Sequence, residues 1–229
     1  MARQAAETAG IVVQVLAVAD CADLATLNVL AEADGVEVLQ TSAGDLGEAR
    51  NTGVAAARGQ YIAFLDGDDL WCRNWLTAAY QAAVQQPHTA IWHPEARLLF
   101  GPAATPSWLI HPDLGTVDGD WVTLGVRNHW TSLSFAPRRT YQQVPYRRID
   151  LAAGQGFEDW CWNSETVAQG FLHRTVAGTM HAVRVRDDSL VRRTKAAAAL
   201  MLPSSLLRSR IGWAARVGTV GVATPPAAA

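Results

Sequence analysis

Three carboxylates arrive together in this chain. Asp66, Asp68 and Asp69 close the run Tyr61-Ile-Ala-Phe-Leu-Asp-Gly-Asp-Asp. Acids one residue apart, such as Asp66 and Asp68, can share a hard cation of the Mg2+ type while leaving coordination positions open for phosphate oxygens. A second acidic pair, Glu158-Asp159, stands in Gly156-Phe-Glu-Asp-Trp and opens a helical pattern. Acids in a first helical turn are favoured by the helix dipole whatever else they do, so a capping role stands beside a chemical one. A carboxylate is a weak base and deprotonates a hydroxyl only when held within hydrogen-bond reach of it. Arg50, in Ala49-Arg-Asn, precedes the first acidic run on a helix, where it reads either as a surface arginine or as an anion-binding one.

The elements that must position these groups alternate. Residues 2–8 read as the last turns of a helix stopped by Gly10, and residues 11–18 as a strand buried on both faces. Helical patterns follow over 24–33, 47–57 and 73–85, with strand patterns over 36–39, 61–65 and 90–100. Asn51 reads as a brace for the loop between helix and strand. Residues 101–120 read as a surface loop, 127–137 as an aromatic mixed stretch, 141–145 as a short helix, 159–170 as a helix and 175–186 as a strand. Short strands alternating with helices predict a parallel, doubly wound sheet. The acids after residue 65 then lie at the carboxyl end of a strand, where open α/β sheets bind ligands. From residue 196 the chain turns Ala-rich, and 221–229 reads as disordered. The expected division is one domain over 1–195 and a tail over 196–229.

Bulk properties exclude several classes. A length of 229 residues suits one α/β domain with a real core. The net charge of −2 gives no reason to expect nucleic-acid binding. Cys21, Cys72 and Cys161 are widely spaced, which indicates neither a zinc site nor a disulfide framework and suits a reducing cytoplasm. The first ten residues lack the apolar core of a signal peptide. No run approaches the roughly 18 apolar residues needed to cross a bilayer.

Taken together, Gly47-Glu-Ala-Arg-Asn-Thr-Gly, the strand ending in Asp-Gly-Asp-Asp, and the later Glu158-Asp159 resemble the inverting family 2 glycosyltransferases. The resemblance implies a GT-A, Rossmann-like fold with a mixed, mainly parallel sheet flanked by helices. It implies a nucleoside-diphosphate sugar donor, a glycan or lipid-linked hydroxyl acceptor, and Mg2+ or Mn2+. Asp159 would take the acceptor proton and Glu158 would orient the acceptor sugar. Asp68 would hold the metal, and Asp66 would bind ribose or share the cation. Arg50 would lie by the nucleotide, and Asp20 or Asp23, with Asp20 favoured, would meet the nucleoside. His181 would serve the metal or the diphosphate, against the ordinary structural role of a lone histidine. Arg184 and Arg186 would clamp phosphate oxygens, or else form a solvated face.

Among nine Trp residues, Trp130 and Trp160 are the candidates to stack on an acceptor sugar rather than fill the core. Trp92-His-Pro-Glu and Glu158-Asp-Trp-Cys-Trp-Asn are similar to a subgroup found in bacterial surface-polysaccharide clusters. The family's first strand, which would lie between the strands near residues 11 and 61, has no counterpart here, so the expectation is an amino-terminally shortened domain.

Two other readings stand beside this one. A haloacid-dehalogenase-like phosphatase also places Asp-x-Asp after a strand. It needs a Lys ahead of a late acidic pair, but Lys195 follows Asp187-Asp188. A sugar-nucleotide or glycan-binding module without turnover would keep the motifs and lose the chemistry.

Overall fold

The structure, a computed structural model, describes residues 1–86, 89–114 and 121–210. In chain order the first half comprises α1 (Ala2–Thr8), β1 (Leu16–Asp20), α2 (Leu24–Ala31), β2 (Glu37–Thr41), α3 (Leu46–Ala56), β3 (Tyr61–Ala63), β4 (Leu70–Trp71), α4 (Trp75–Gln85) and β5 (Ala90–Phe100). The second half comprises β6 (Ser107–Ile110), α5 (Trp121–Leu124), β7 (Phe135–Pro137), α6 (Arg138–Gln143), β8 (Gln155–Gly156), α7 (Glu158–Ala168), β9 (Leu172–Arg184), α8 (Leu190–Ala196), β10 (Leu200–Met201) and α9 (Ser205–Arg210).

A six-stranded mixed sheet carries the core in the order β3-β7-β5-β9-β4, with β6 on the side of β5. Its backbone is the parallel pairing of β5 with β9, which a bulge interrupts between Pro94 and Ala96. The remaining pairings of this sheet are antiparallel. β1 and β2 pair in parallel as a separate two-stranded sheet. The α/β architecture is therefore the expected one, with parallel pairing confined to β1–β2, β5–β9 and β8–β10. Among the described residues β1 and β3 do not pair with each other.

Alternation along β5 sorts the core into two layers, since successive strand side chains point to opposite faces. Ile91 joins Val54, Tyr141, Tyr146 and Trp162 on one face, beneath α3, α6 and α7. Ala90 and Trp92 join Trp75, Ala79, Ala83 and Phe135 on the other, beneath α4. Small residues let α4 lie close; Ala79 and Ala83 are spaced i, i+4 on its buried side.

Several sequence expectations move. The strand expected over 11–18 begins at Leu16, and Val12 is 98% exposed, because β2 supplies five pairing positions and these start at Leu16. Strand β3 stops at Ala63 rather than 65, where Phe64 turns its N–H to Ser134. The loop expected over 101–120 contains β6: eleven-residue β5 outruns β7 and leaves an edge on which Ser107–Ile110 folds back. Residues 115–120 of that stretch lie outside the described residues. The short helix near 141 starts earlier, at Arg138, directly after Pro137. Asn51 braces a different partner from the one expected: its amide donates to Tyr146 O at 2.8 Å and accepts from Tyr146 N at 3.0 Å.

Beyond residue 196 the chain continues in order through β10 and α9. Leu200 and Met201 pair with Gln155 and Gly156, and Ser205 donates its N–H and hydroxyl to Glu165 at 2.9 and 2.7 Å. The segment 221–229, expected to be disordered, lies outside the described residues. No helix among the described residues is long and apolar enough to cross a membrane.

Candidate active site

Helix α3 places the first site residue. Asp45 caps it by accepting from Glu48 N at 2.9 Å and also holds Ile149 N at 3.2 Å. Gly47 approaches the Arg147 carbonyl so closely that a Cβ would stand 2.8 Å from that oxygen. The helix thus presses Gly47, Arg50 and Val54, spaced i, i+3 and i+7, into the protein. Arg50 is 5% exposed, so the surface reading of this arginine fails.

Its guanidinium joins the two acidic runs. Nη1 donates to Glu158 Oε1 at 2.8 Å and Nη2 to Asp66 Oδ1 at 3.0 Å. The cation also lies 5.2 Å from the centre of the Tyr146 ring. A buried arginine can deliver two directed hydrogen bonds from one planar fork, which a lysine cannot. Burial would release its proton, but the charges of Asp66 and Glu158 outweigh burial and raise its pKa.

The acids after β3 are each held differently. Asp66 Oδ2 accepts from Ser132 at 3.2 Å. Asp68 pairs with Arg186 Nε at 3.2 Å, and its carbonyl accepts from Arg184 Nε at 3.2 Å. Asp69 is buried and accepts the Arg184 N–H at 2.8 Å; burial pushes its carboxyl up to about 7. Arg184 and Arg186 thus ring the acidic turn.

Helix α7 presents Glu158 and Asp159 from its first turn. Phe157, just before it, adopts the left-handed conformation with φ 59° and ψ 60°, a strain of roughly 1–2 kcal/mol for a residue with a Cβ. The carboxyl of Asp159 accepts from Asn128 Nδ2 at 3.1 Å and from Trp160 N at 2.7 Å, while Asn163 Nδ2 holds Asn128 Oδ1 at 3.0 Å. Burial and then the neighbouring Glu158 charge push Asp159 up to about 7. A carboxylate poised there is suited to accept a proton near neutral pH.

Other expected site residues fall elsewhere. Asp20 ends β1 and accepts from Gly44 N at 3.2 Å. Trp130 is 2% exposed, stacked on His173 at 4.1 Å and His93 at 5.3 Å, with its N–H on Pro112 O. It fills the core, packed against His93 and His173, whose ring nitrogens are themselves 2.9 Å apart, so the sugar-stacking expectation does not hold for it. Trp160 is half-buried, donates to Leu124 O and meets Phe157 edge-on at 5.6 Å. His181 is fully buried with Nε2 3.2 Å from Thr131 Oγ1 and its ring 5.6 Å from His111. It is not drawn to Asp68, and no group of three His, Cys, Asp or Glu among the described residues could hold a metal ion. Asp68 keeps one carboxylate oxygen free of any described ion pair and is about one third exposed, which fits a hard cation completed by ligand oxygens.

Sequence reasoning missed Ser132 and Asn163. Asn163 is four residues after Asp159, on the same face of α7, and that spacing was the available signal. Ser132 carries no comparable signal.

Comparisons with known proteins can now be set against this geometry. Residues 3–95 match the model of the family described as Glycosyl transferase family 2. No curated protein matches the chain. Among solved structures, S. aureus TarS 1-349 in complex with UDP-GlcNAc is similar at 14% identity and a TM-score of 0.54, over 77% of this chain and 51% of that one. GalNAc-T7 with UDP, GalNAc and Mn2+ is similar at 17% identity and a TM-score of 0.54, over 76% of this chain and 38% of that one. The chain therefore spans about half or less of the length of these structures, and it shares their GT-A fold.

Proposed function

We propose, from the match of residues 3–95 to the glycosyl transferase family 2 model, that the chain transfers a sugar, with inversion, from a nucleoside diphosphate to a hydroxyl acceptor. The observation that carries this reading is the Arg50 bridge, which holds Asp66 and Glu158 on either side of one buried cation. It brings the acidic turn after β3 and the first turn of α7 to a common centre, as a transfer between donor and acceptor requires.

In this reading Asp159 accepts the proton of the acceptor hydroxyl, with Asn128 and the Trp160 N–H fixing its two oxygens. Glu158, neutralised by Arg50, orients the acceptor without competing for that proton. Arg184 and Arg186 border the acidic turn and bind the departing diphosphate. Mg2+ or Mn2+ held by Asp68, with Asp66 beside it, would neutralise charge on that diphosphate. Arg186 now pairs with Asp68 on a half-exposed surface, and such pairs are worth about 0–1 kcal/mol, so Asp68 would be free to exchange this partner for a divalent cation. The solved relatives support this choice: TarS is recorded with UDP-GlcNAc and GalNAc-T7 with UDP, GalNAc and Mn2+.

The acceptor is a glycan or lipid-linked hydroxyl of bacterial surface-polysaccharide type, and the setting is the cytoplasm, in keeping with three free cysteines. Thermal-shift measurements with UDP-, GDP- and dTDP-sugars, with and without Mn2+, test the donor. Asp159→Asn should keep the shift and lose transfer; transfer retained by that variant rejects the base assignment.

A second reading, a sugar-nucleotide-binding module without turnover, is favoured by the separation of β1–β2 from the main sheet, since Asp20 rides on that detached pair. Donor binding without either transfer or donor hydrolysis would establish it.

A further inference from the structure

Beside Asp159, on the face of the sheet that also holds His93, lies a group of side chains the reaction above does not use. Arg97 on β5 is the register partner of His181 on β9, so both project to the same face. His111, just beyond β6, has its ring 5.6 Å from that of His181. The charge of Arg97 bears on both imidazoles and interacts with Asp159.

Each of the three keeps one buried nitrogen without a hydrogen-bond partner among the described residues. Arg97 Nε is buried without a hydrogen-bond partner among the described residues, and Arg97 forms no ion pair among them. His111 Nδ1 lies 2.7 Å from the Pro94 carbonyl, which can only accept, so that nitrogen carries the proton. Its Nε2 is left with a lone pair, buried and without a partner among the described residues. His181 Nδ1 is likewise buried and without a partner among them. Both histidines are at most 2% exposed. Native proteins rarely leave buried polar atoms unpaired, and a guanidinium partly drawn from water without an ion-pair partner is costly. An occupant with an oxyanion and more than one hydroxyl answers all three: the oxyanion pairs with Arg97, one hydroxyl donates to His111 Nε2 and another meets His181 Nδ1.

We propose that Arg97, with His111 and His181, forms an acceptor subsite selective for a polyol or sugar that carries a phosphate or carboxylate close to its reacting hydroxyl. The inference rests on the glycosyl-transfer reading only in calling the bound group an acceptor; the cluster itself stands on its unpaired groups. Neutral imidazoles contribute hydrogen bonds here, and Arg97 alone supplies the charge selection. The neighbouring Asp159 sets a limit on affinity, because its negative charge repels the same oxyanion once it ionises.

The full chain is titrated calorimetrically, in buffer with UDP and Mn2+ and without them, against four probes: glucuronate, glycerol 3-phosphate, glucose and glycerol. Glucuronate or glycerol 3-phosphate, or both, should bind at least about tenfold more tightly than the neutral probes, the worth of one charge-assisted hydrogen bond. Which of the two binds separates carboxylate from phosphate recognition. Arg97→Met should erase the preference while leaving the neutral probes unchanged, and Arg97→Lys should retain it in part if Arg97→Met fails to fold. Asp159→Asn should tighten the anionic probe by removing the adjacent charge. Equal binding of anionic and neutral probes, or a preference that survives Arg97→Met, overturns the proposal. Failure of UDP and Mn2+ to bind, with oxyanion selection intact, would instead sink the donor reading and spare this one.

Discussion

Arg50 Nη1 and Glu158 Oε1 stand 2.8 Å apart across 108 positions of sequence, and both side chains are more than nine-tenths buried. Breaking a buried pair from one side strands the other charge, at about 3–5 kcal/mol. Arg50→Met should therefore destabilise the protein by about that amount. Glu158→Gln on the same background should recover part of the loss, because the stranded carboxylate is gone. Denaturant titrations of the two single variants and the double variant measure the coupling. Simple additivity would show that the bridge carries little energy.

Asp159 titrates where it can be read. With its carboxyl near 7, transfer measured as kcat/KM should rise with pH through about 7 as the base ionises. Asn128 donates to the ionised form and so favours it. Asn128→Leu should move the rising limb of the pH profile to higher pH, while a purely structural Asn128 would lower the rate at every pH and leave the limb in place.

The same group costs stability. Its folded pKa lies above the usual carboxylate value, so the folded state binds the extra proton and loses stability as pH rises from about 4 to 7. Asp159→Asn should raise the unfolding free energy at pH 7.5 by on the order of 1 kcal/mol after discounting for its partial exposure, seen as a higher melting temperature, while abolishing transfer. An unchanged or lower melting temperature would mean that the carboxylate is not strained by burial.

Four buried imidazoles work in the opposite sense. His111 is held down to about 4 and His173 and His181 to about 3, with His93 also lowered, in each case mainly by burial. The unfolded chain takes up protons near 6.5 that the folded chain refuses, so their stability is full above about 6.5 and lost as pH falls below it. Asp69 and Asp159 gain over the same interval and mask part of the loss. The clean measurement is a difference: His93→Gln should flatten the fall in melting temperature between pH 6.5 and 4.5 relative to the parent. Parallel curves would show that the cluster does not titrate on unfolding.

Gly156, on the strand before Phe157, leaves no room for a side chain: a Cβ there would come 2.3 Å from Thr194 Cγ2. Gly156→Ala should cost about 1–3 kcal/mol through overpacking against α8, seen by chemical denaturation. Thr194→Ala removes the clashing methyl and should restore most of it. Failure to rescue would place the strain in the backbone instead.

The local parts of the site were legible because their causes are local. The Asp66–Asp69 turn follows a strand, Glu158 and Asp159 open a helix, and periodicity and capping chemistry mark both within a dozen residues. The depth of Arg50 was partly legible, since Gly47, Arg50 and Val54 share the buried stripe of α3. Trp130 and His181 were misjudged for a common reason: their residue types suit a sugar or a metal. What packs against them, His93 and His173 for one and Thr131 and His111 for the other, comes from β5, β9, the chain just beyond β6 and the segment before β7.

By itself the amino-acid order determined the α/β class, the resemblance to the family 2 glycosyltransferases and the positions of the five acids, because backbone preference and residue chemistry act over a few neighbours. Tertiary structure alone decided that one arginine joins the two acidic runs, that burial lifts the Asp159 carboxyl to about 7, and that Arg97 has no ion-pair partner among the described residues. Each of these depends on desolvation and on charges brought close from distant segments, and both arise only when β5 and β9 pair and α3 and α7 pack against them.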